Sequence, residues 1–185
     1  MILYPTETVY ALGVRALDEA ELRRLFRTKQ RPEEKKVSWL VRDIADIERY
    51  AVVGKKAMII AERWLPGPLT LVLPARDEVS RRLTALDGTL SFRISSDLVA
   101  QKLIMEYMAE YNSPLTCTSA NIGNLPTLPT STEILLQFGD SAKEIGRVID
   151  DGVREGETST IVRVMGEEVT IIRPGPIDPI QLLNC

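Results

Sequence analysis

The residues of this chain that can do chemistry are hydroxyls, amides, lysines and arginines, gathered in short stretches far apart in the sequence. Tyr4-Pro5-Thr6-Glu7-Thr8-Val9-Tyr10-Ala11-Leu12-Gly13 is a hydroxyl-rich turn between two apolar steps. Lys29-Gln30-Arg31-Pro32 sets a lysine and an arginine in a short loop. Thr118-Ser119-Ala120-Asn121 and Ser159-Thr160-Ile161-Val162 add further hydroxyls and an amide. There is no histidine, which excludes Ser-His-Asp and Cys-His catalysis and a histidine general base. Two cysteines, Cys117 and Cys185, make neither a disulfide framework nor a zinc site. What remains suits an anionic ligand. Arginine offers a planar fork of donors and lysine a point charge. Backbone N–H groups after a strand can cradle an anion.

Each stretch also has a plainer explanation. Arg23, Arg24 and Arg27 read as a solvated helix face, whereas Lys29 and Arg31 sit where a helix must end before Pro32. Ser119, Asn121 and Gly123 follow a strand and serve equally as turn residues. Arg93 lies inside the apolar run Ser91-Phe92-Arg93-Ile94. Burying it unpaired is costly, so it either faces solvent or meets a carboxylate in a cleft. Arg173, before Pro174-Gly175-Pro176, poses the same choice. Asp150-Asp151-Gly152 reads as a turn rather than a metal site. Neither a P-loop nor a Gly-x-Gly-x-x-Gly fingerprint occurs, so a bound nucleotide would be held in another way.

The elements that must position these residues alternate between strand and helix. Strands are expected at Met1 to Pro5, Val37 to Val41, Leu69 to Leu73, Thr89 to Ile94, Leu115 to Thr118 and Arg147 to Ile149. Helices are expected after Asp18, after Asp43, after Gly54, over Val79 to Leu86, from Ser95 or Ser96 to about Tyr111, and from Thr130 through Phe138. Thr160 to Val164 and Val169 to Ile172 form a hairpin, and Pro174-Gly175-Pro176 ends the regular structure. This order predicts an α/β fold, a single-domain twisted open mixed sheet with helices on its faces, over residues 1–185. The 44% hydrophobic and 26% charged fractions are ordinary for a globular protein. A net charge of −3 argues against a nucleic-acid binder over the whole surface, though not against a local basic groove. No apolar run nears the roughly 20 residues that span a bilayer, and no signal peptide is visible, so a cytoplasmic location without membrane contact is expected.

Taken in order, these pieces resemble the YrdC (TsaC) family of threonylcarbamoyl-AMP synthases. Matching stretches are the opening turn, Lys29-Gln30-Arg31-Pro32, Pro66-Gly67-Pro68-Leu69-Thr70, Arg93, Ser119-Ala120-Asn121, Ser159-Thr160-Ile161-Val162 and Arg173-Pro174-Gly175. The resemblance implies a YrdC-like sheet with a concave basic cavity. It implies a nucleotidyltransferase that makes L-threonylcarbamoyl-adenylate and pyrophosphate from L-threonine, bicarbonate and ATP, with Mg2+ arriving on the ATP. The product would serve tRNA threonylcarbamoyladenosine modification through partner proteins of that pathway. The threonine site would map onto Thr8, Arg93, Cys117 and Ser159. The ATP site would map onto Lys29, Arg31, Lys35, Thr89, Ser119, Asn121, Thr127 and Arg173, with Lys29 and Arg31 catalytic, and no residue is assigned to a metal. Thr6 and Glu7 are expected to shape the turn. Ala11 stands where the family has glycine, and Lys36 where it has proline. Tyr10-Ala11-Leu12-Gly13 and Leu40-Val41-Arg42-Asp43 look more like the YciO branch. That branch implies an alternative: a protein of the same fold that binds nucleotide, tRNA or double-stranded RNA in the cavity without making the adenylate.

Overall fold

The computed structural model describes residues 1–184, so Cys185 lies outside the described residues. Nine strands form one mixed sheet in the order β7-β1-β2-β6-β3-β5-β4-β8-β9. The strands are β1 (Ile2–Tyr4), β2 (Ala11–Gly13), β3 (Ser38–Leu40), β4 (Leu69–Pro74), β5 (Thr89–Arg93), β6 (Leu115–Ser119), β7 (Arg147–Val148), β8 (Thr160–Met165) and β9 (Glu168–Arg173). The helices are α1 (Glu19–Thr28), α2 (Ile44–Glu48), α3 (Lys55–Trp64), α4 (Leu98–Tyr111), α5 (Ser131–Phe138), which runs into a 3-10 turn at Gly139–Glu144, and α6 (Pro179–Leu183). β1 pairs with β7, β3 with β5 and β4 with β8 in parallel; the other pairs are antiparallel. No helix among the described residues is long and apolar enough to cross a membrane.

Residues paired across strands share a face, and neighbours along a strand face opposite ways. The registers therefore sort the sheet into two faces. On one lie Leu3, Leu12, Trp39, Leu71, Leu90 and Phe92. Apart from Thr116, Thr118 and Thr160, this face is apolar, and it packs against α1 and α5 at one end and α2, α3 and α6 at the other. On the second face, Tyr4, Ala11, Leu40 and Leu115 pack against α4 through Leu103, Ile104 and Met108. The methyl of Ala11 is thus part of the core beneath α4. Beyond the end of α4 this face turns polar: Ser38 pairs with Cys117, Val72 with Ser91, and Thr70 with Ile161.

Most helix starts follow the side-chain caps read from the sequence. Asp18 accepts from the N–H groups of Ala20 and Glu21, Asp43 from that of Asp46, and Thr130 from that of Glu133. Three expectations are corrected. The cap of α4 is Asp97, which accepts from Val99 and Ala100; the Ser95 hydroxyl is engaged by Glu7 instead. Val79 to Leu86 is a series of turns, because the β4–β5 register brings Pro74 beside Thr89 and the intervening chain bonds back onto the strand ends (Ala75 N–H to Gly88 and Ala85 N–H to Thr89). Regular structure does not stop at Pro176: Asp178 caps α6, with Pro179 in its first turn.

Gly13 in β2 faces Leu115 in the α4-side core. A Cβ at Gly13 would come within 2.6 Å of Leu115 Cγ. Gly13→Ala should therefore cost about 1–3 kcal/mol by overpacking. In a Leu115→Ala background that cost should vanish or change sign. Urea unfolding of the single and double variants measures the coupling; additive effects would show that the two positions do not compete for the same space.

Candidate active site

The polar part of the α4-side face is the floor of a cavity of about 160 Å³. Strands β3, β5 and β6 provide Ser38, Ser91, Arg93, Cys117 and Ser119. The opening turn adds Thr8, the loop after α1 adds Arg31 and Lys36, and the β4–β8–β9 end adds Thr70, Ser159 and Arg173. The whole predicted threonine set, Thr8, Arg93, Cys117 and Ser159, lines this one cavity, as do Arg31, Ser119 and Arg173 of the predicted ATP set.

The other predicted residues stand off the lining. Lys29 is buried behind it: its Nζ donates to the Ser119 carbonyl, to the Asn121 carbonyl at 2.7 Å and to Asn121 Oδ1 at 3.4 Å. Burial and the neighbouring Arg31 charge push the Lys29 pKa down to about 7, while those three oxygens favour the ammonium form. Asn121 accepts from the Ser119 hydroxyl at 2.6 Å and donates to the Leu125 carbonyl at 2.6 Å, which shapes the loop after β6. Thr89 is buried and donates to Asp87 at 2.7 Å. Lys35 is exposed and contributes its carbonyl, which accepts from Arg31 Nε at 2.7 Å. Lys36, not Lys35, is the lysine of that loop on the lining. Thr127 is half-buried in the loop before α5.

The choice left open for Arg93 is settled by Glu7. Arg93 Nη2 meets Glu7 Oε1 at 2.5 Å, and Nη1 donates to Thr8 Oγ1 at 3.3 Å. The second oxygen of Glu7 accepts from the Ser95 hydroxyl. Glu7 is thus more than a turn residue. Thr6 does shape the turn: its hydroxyl donates to the Val9 carbonyl at 2.6 Å and accepts from the N–H of Thr8 and of Val9. The segment from Asp150 to Ser159 passes over this turn. Gly156 N–H donates to the Thr8 carbonyl at 3.1 Å, and a Cβ on Gly156 would lie 2.5 Å from that oxygen. Arg154 ties the segment to the Thr6 carbonyl and to Asp97.

The electrostatics favour anions. Arg31 donates to the carbonyls of Lys35 and Lys36, and Arg173 to the carbonyl and hydroxyl of Ser159. Neither guanidinium is neutralised by a carboxylate among the described residues. Burial lowers the pKa of both, and for Arg173 the charges of Arg93 and Arg31 add to it; both remain charged at any ordinary pH. Burial pushes the Cys117 thiol up, so it is a neutral wall group rather than a thiolate nucleophile. Among the described residues no cluster of three or more His, Cys, Asp or Glu is placed to hold a metal ion. Sequence reasoning missed Glu7 as a partner of Arg93, and Ser38, Thr70, Ser91 and Lys36 as lining residues. The alternation Ser91–Arg93 in β5 was a usable signal for Ser91, since residues two apart share a face.

Removing the ammonium of Lys29 leaves the Ser119 and Asn121 carbonyls without that donor. Lys29→Met should cost about 2–3 kcal/mol and loosen the loop after β6. Urea unfolding and amide exchange at Asn121 and Gly123 check this; unchanged stability with unchanged exchange would show that the ammonium does not hold the loop.

Comparison with known proteins places this geometry among relatives. A model of the Sua5, YciO and YrdC proteins, described as "Telomere recombination", matches residues 1–175. A threonylcarbamoyl-AMP synthase of Pyrococcus abyssi (strain GE5 / Orsay) is 36% identical over 188 aligned residues, covering 98% of this chain and 52% of that protein. The chain therefore spans about half the length of that relative. The crystal structure of P. abyssi Sua5 complexed with L-threonine matches with a TM-score of 0.86 at 31% identity, over 99% of this chain and 52% of that one. Escherichia coli YciO matches with a TM-score of 0.82 at 26% identity, over 96% and 84%. By sequence over nearly its whole length, and by the sheet that carries the cavity, the chain belongs to the Sua5/YciO/YrdC family.

Proposed function

We propose that the protein is an L-threonylcarbamoyl-adenylate synthase, a nucleotidyltransferase that uses L-threonine, bicarbonate and ATP. The observation that carries this is the convergence of Arg31, Arg93 and Arg173 with Thr8, Ser119 and Ser159 on one cavity, two of the guanidinium groups having no carboxylate partner among the described residues. The synthase name and bound L-threonine of its relatives support the same assignment.

At about 160 Å³ the cavity is smaller than the roughly 300–1,000 Å³ of sites that enclose a drug-sized ligand. An amino acid fits the end lined by Thr8, Arg93, Cys117 and Ser159. The nucleotide would reach outward past Arg31, Ser119 and Arg173, toward Lys35 and Thr127. Lys29 and Asn121 would act from behind by fixing the Ser119 loop. The threonine amine, as its free base, joins bicarbonate with loss of water to give a carbamate. A carbamate oxygen attacks the α-phosphorus of ATP, the bond to the bridging oxygen breaks, and pyrophosphate leaves. The ligands supply the nucleophile; the protein supplies placement and positive charge where negative charge collects. This suits a site without histidine. Magnesium would arrive on the nucleotide phosphates, because Glu7, the carboxylate beside the threonine end, is already held by Arg93 and Ser95. The adenylate would then pass to proteins that modify tRNA.

Pyrophosphate release from ATP should depend on both L-threonine and bicarbonate. Well-folded protein that releases none would reduce the cavity to a nucleotide- or RNA-binding site of the YciO kind. Arg31→Ala should lower kcat/KM for ATP by about 10²-fold or more while the circular dichroism spectrum stays unchanged. Near-normal turnover in that variant would detach the loop after α1 from the chemistry.

A further inference from the structure

The three guanidinium groups of the cavity differ in how far their charge is compensated, and one residue makes the difference. Arg31 and Arg173 donate to carbonyls and to the Ser159 hydroxyl, and no carboxylate among the described residues compensates them. The charge of Arg93 is cancelled by Glu7 at 2.5 Å. The two side chains are 6% and 14% exposed, so solvent screens this pair little. The second Glu7 oxygen is fixed by Ser95, which prevents the carboxylate from swinging away. Beside the pair lie Thr8, Thr70, Ser159 and the neutral Cys117 thiol, and the Arg173 guanidinium reaches the Ser159 hydroxyl at 3.2 Å.

The Thr6 hydroxyl donates to Val9 and lies 2.9 Å from that of Thr8, and Thr8 Oγ1 accepts from Arg93. The Arg93 Nε–H has no partner among the described residues and is itself buried. The Arg93–Glu7 pair thus presents no net charge of its own to a ligand at Thr8, which suits a zwitterion better than a polyanion. Arg31 and Arg173 keep bare charge, which matches a polyphosphate.

We propose that Glu7 is a positioning residue that sets substrate specificity. By neutralising and holding Arg93, it makes the Thr8 end of the cavity take a zwitterionic amino acid and refuse phosphate. The names of the two ligands rest on the synthase activity proposed above; the charge asymmetry does not.

Calorimetric titration with L-threonine and with inorganic phosphate, alone and in competition, tests this on the wild type, Glu7→Gln, Glu7→Asp and the neutral pair Glu7→Gln/Arg93→Gln. In the wild type, phosphate should not compete with threonine. Glu7→Gln should weaken threonine binding by about tenfold, a change of roughly 1.4 kcal/mol, and phosphate should now displace threonine. Glu7→Asp should keep the wild-type preference. The neutral pair should lose threonine affinity without admitting phosphate, which a merely structural role for Glu7 does not predict. Glu7→Gln that keeps the wild-type preference, or loses threonine without gaining competitive phosphate, overturns the assignment. If Glu7→Gln does not fold, Ser95→Ala decides: it frees one Glu7 oxygen and should let phosphate compete measurably, and an unchanged preference overturns the proposal. Wild type that binds threonine and excludes phosphate yet releases no pyrophosphate removes the synthase activity and leaves the role of Glu7 intact. Wild type that turns over while Glu7→Gln keeps its preference does the reverse. No threonine binding by the wild type removes both.

Discussion

The constraint behind this structure is that one sheet has two faces and the helices are shared unequally between them. One face is covered along its length by α1, α5, α2, α3 and α6. The other has only α4, which reaches as far as Leu40 and Leu115. An apolar surface beyond that point would stay in contact with water, so the strands carry small polar side chains there at every second position. Ser38, Ser91, Cys117 and Ser119 face the opening, while Trp39, Leu90, Phe92 and Thr116 in the same strands face away from it. The cavity follows from where α4 ends.

A buried ammonium then aligns the loops at the rim. Desolvation of Lys29 is expensive, and three oxygens from Ser119 and Asn121 offset it. The bond is reciprocated, since Gly123 N–H donates to the Lys29 carbonyl at 2.6 Å. The C-terminal end of α1 is thereby tied to the end of β6. Arg31, two residues on from Lys29, and Ser119 face the same space because of that tie. The lysine of the Lys29–Arg31 pair is structural in its contacts, and the arginine is the one that meets the cavity.

Much of this was legible in the sequence, and the misses share a cause. The strands other than β2, the capped starts of α1, α2 and α5 and the β8–β9 hairpin carry their signal within a few residues of sequence, so local pattern finds them, whereas the three-residue β2 is fixed by its pairing with β6 more than 100 positions away. The start of α4 was misplaced because the Ser95 hydroxyl has a partner 88 positions away, leaving Asp97 to cap the helix. Val79 to Leu86 carries enough apolar residues for a helix, but strand pairing at both ends makes it a loop. Of the two options open for Arg93, the sequence could not choose, because Glu7 lies 86 positions away. The resemblance supplied the residues that line the cavity, yet it could not separate lining from support; Lys29, Thr89 and Asn121 differ from Arg31 and Ser119 only in where the fold turns them.

A site built this way places its demands on charge rather than on proton transfer. The chain has no histidine, and burial holds the Cys117 thiol neutral, so neither an imidazole nor a thiolate serves as a base on the lining. The cations are guanidinium groups, which keep their charge even where burial and mutual repulsion oppose it. Their effect is set by distance and by the water between them and the ligand, so it grows as the ligand excludes solvent. Glu7 limits that effect at Arg93, and no carboxylate among the described residues limits it at Arg31 or Arg173. The distribution of charge over the cavity is therefore a property of the empty protein, fixed before any ligand arrives by a turn, a strand and the serine two residues before a helix cap.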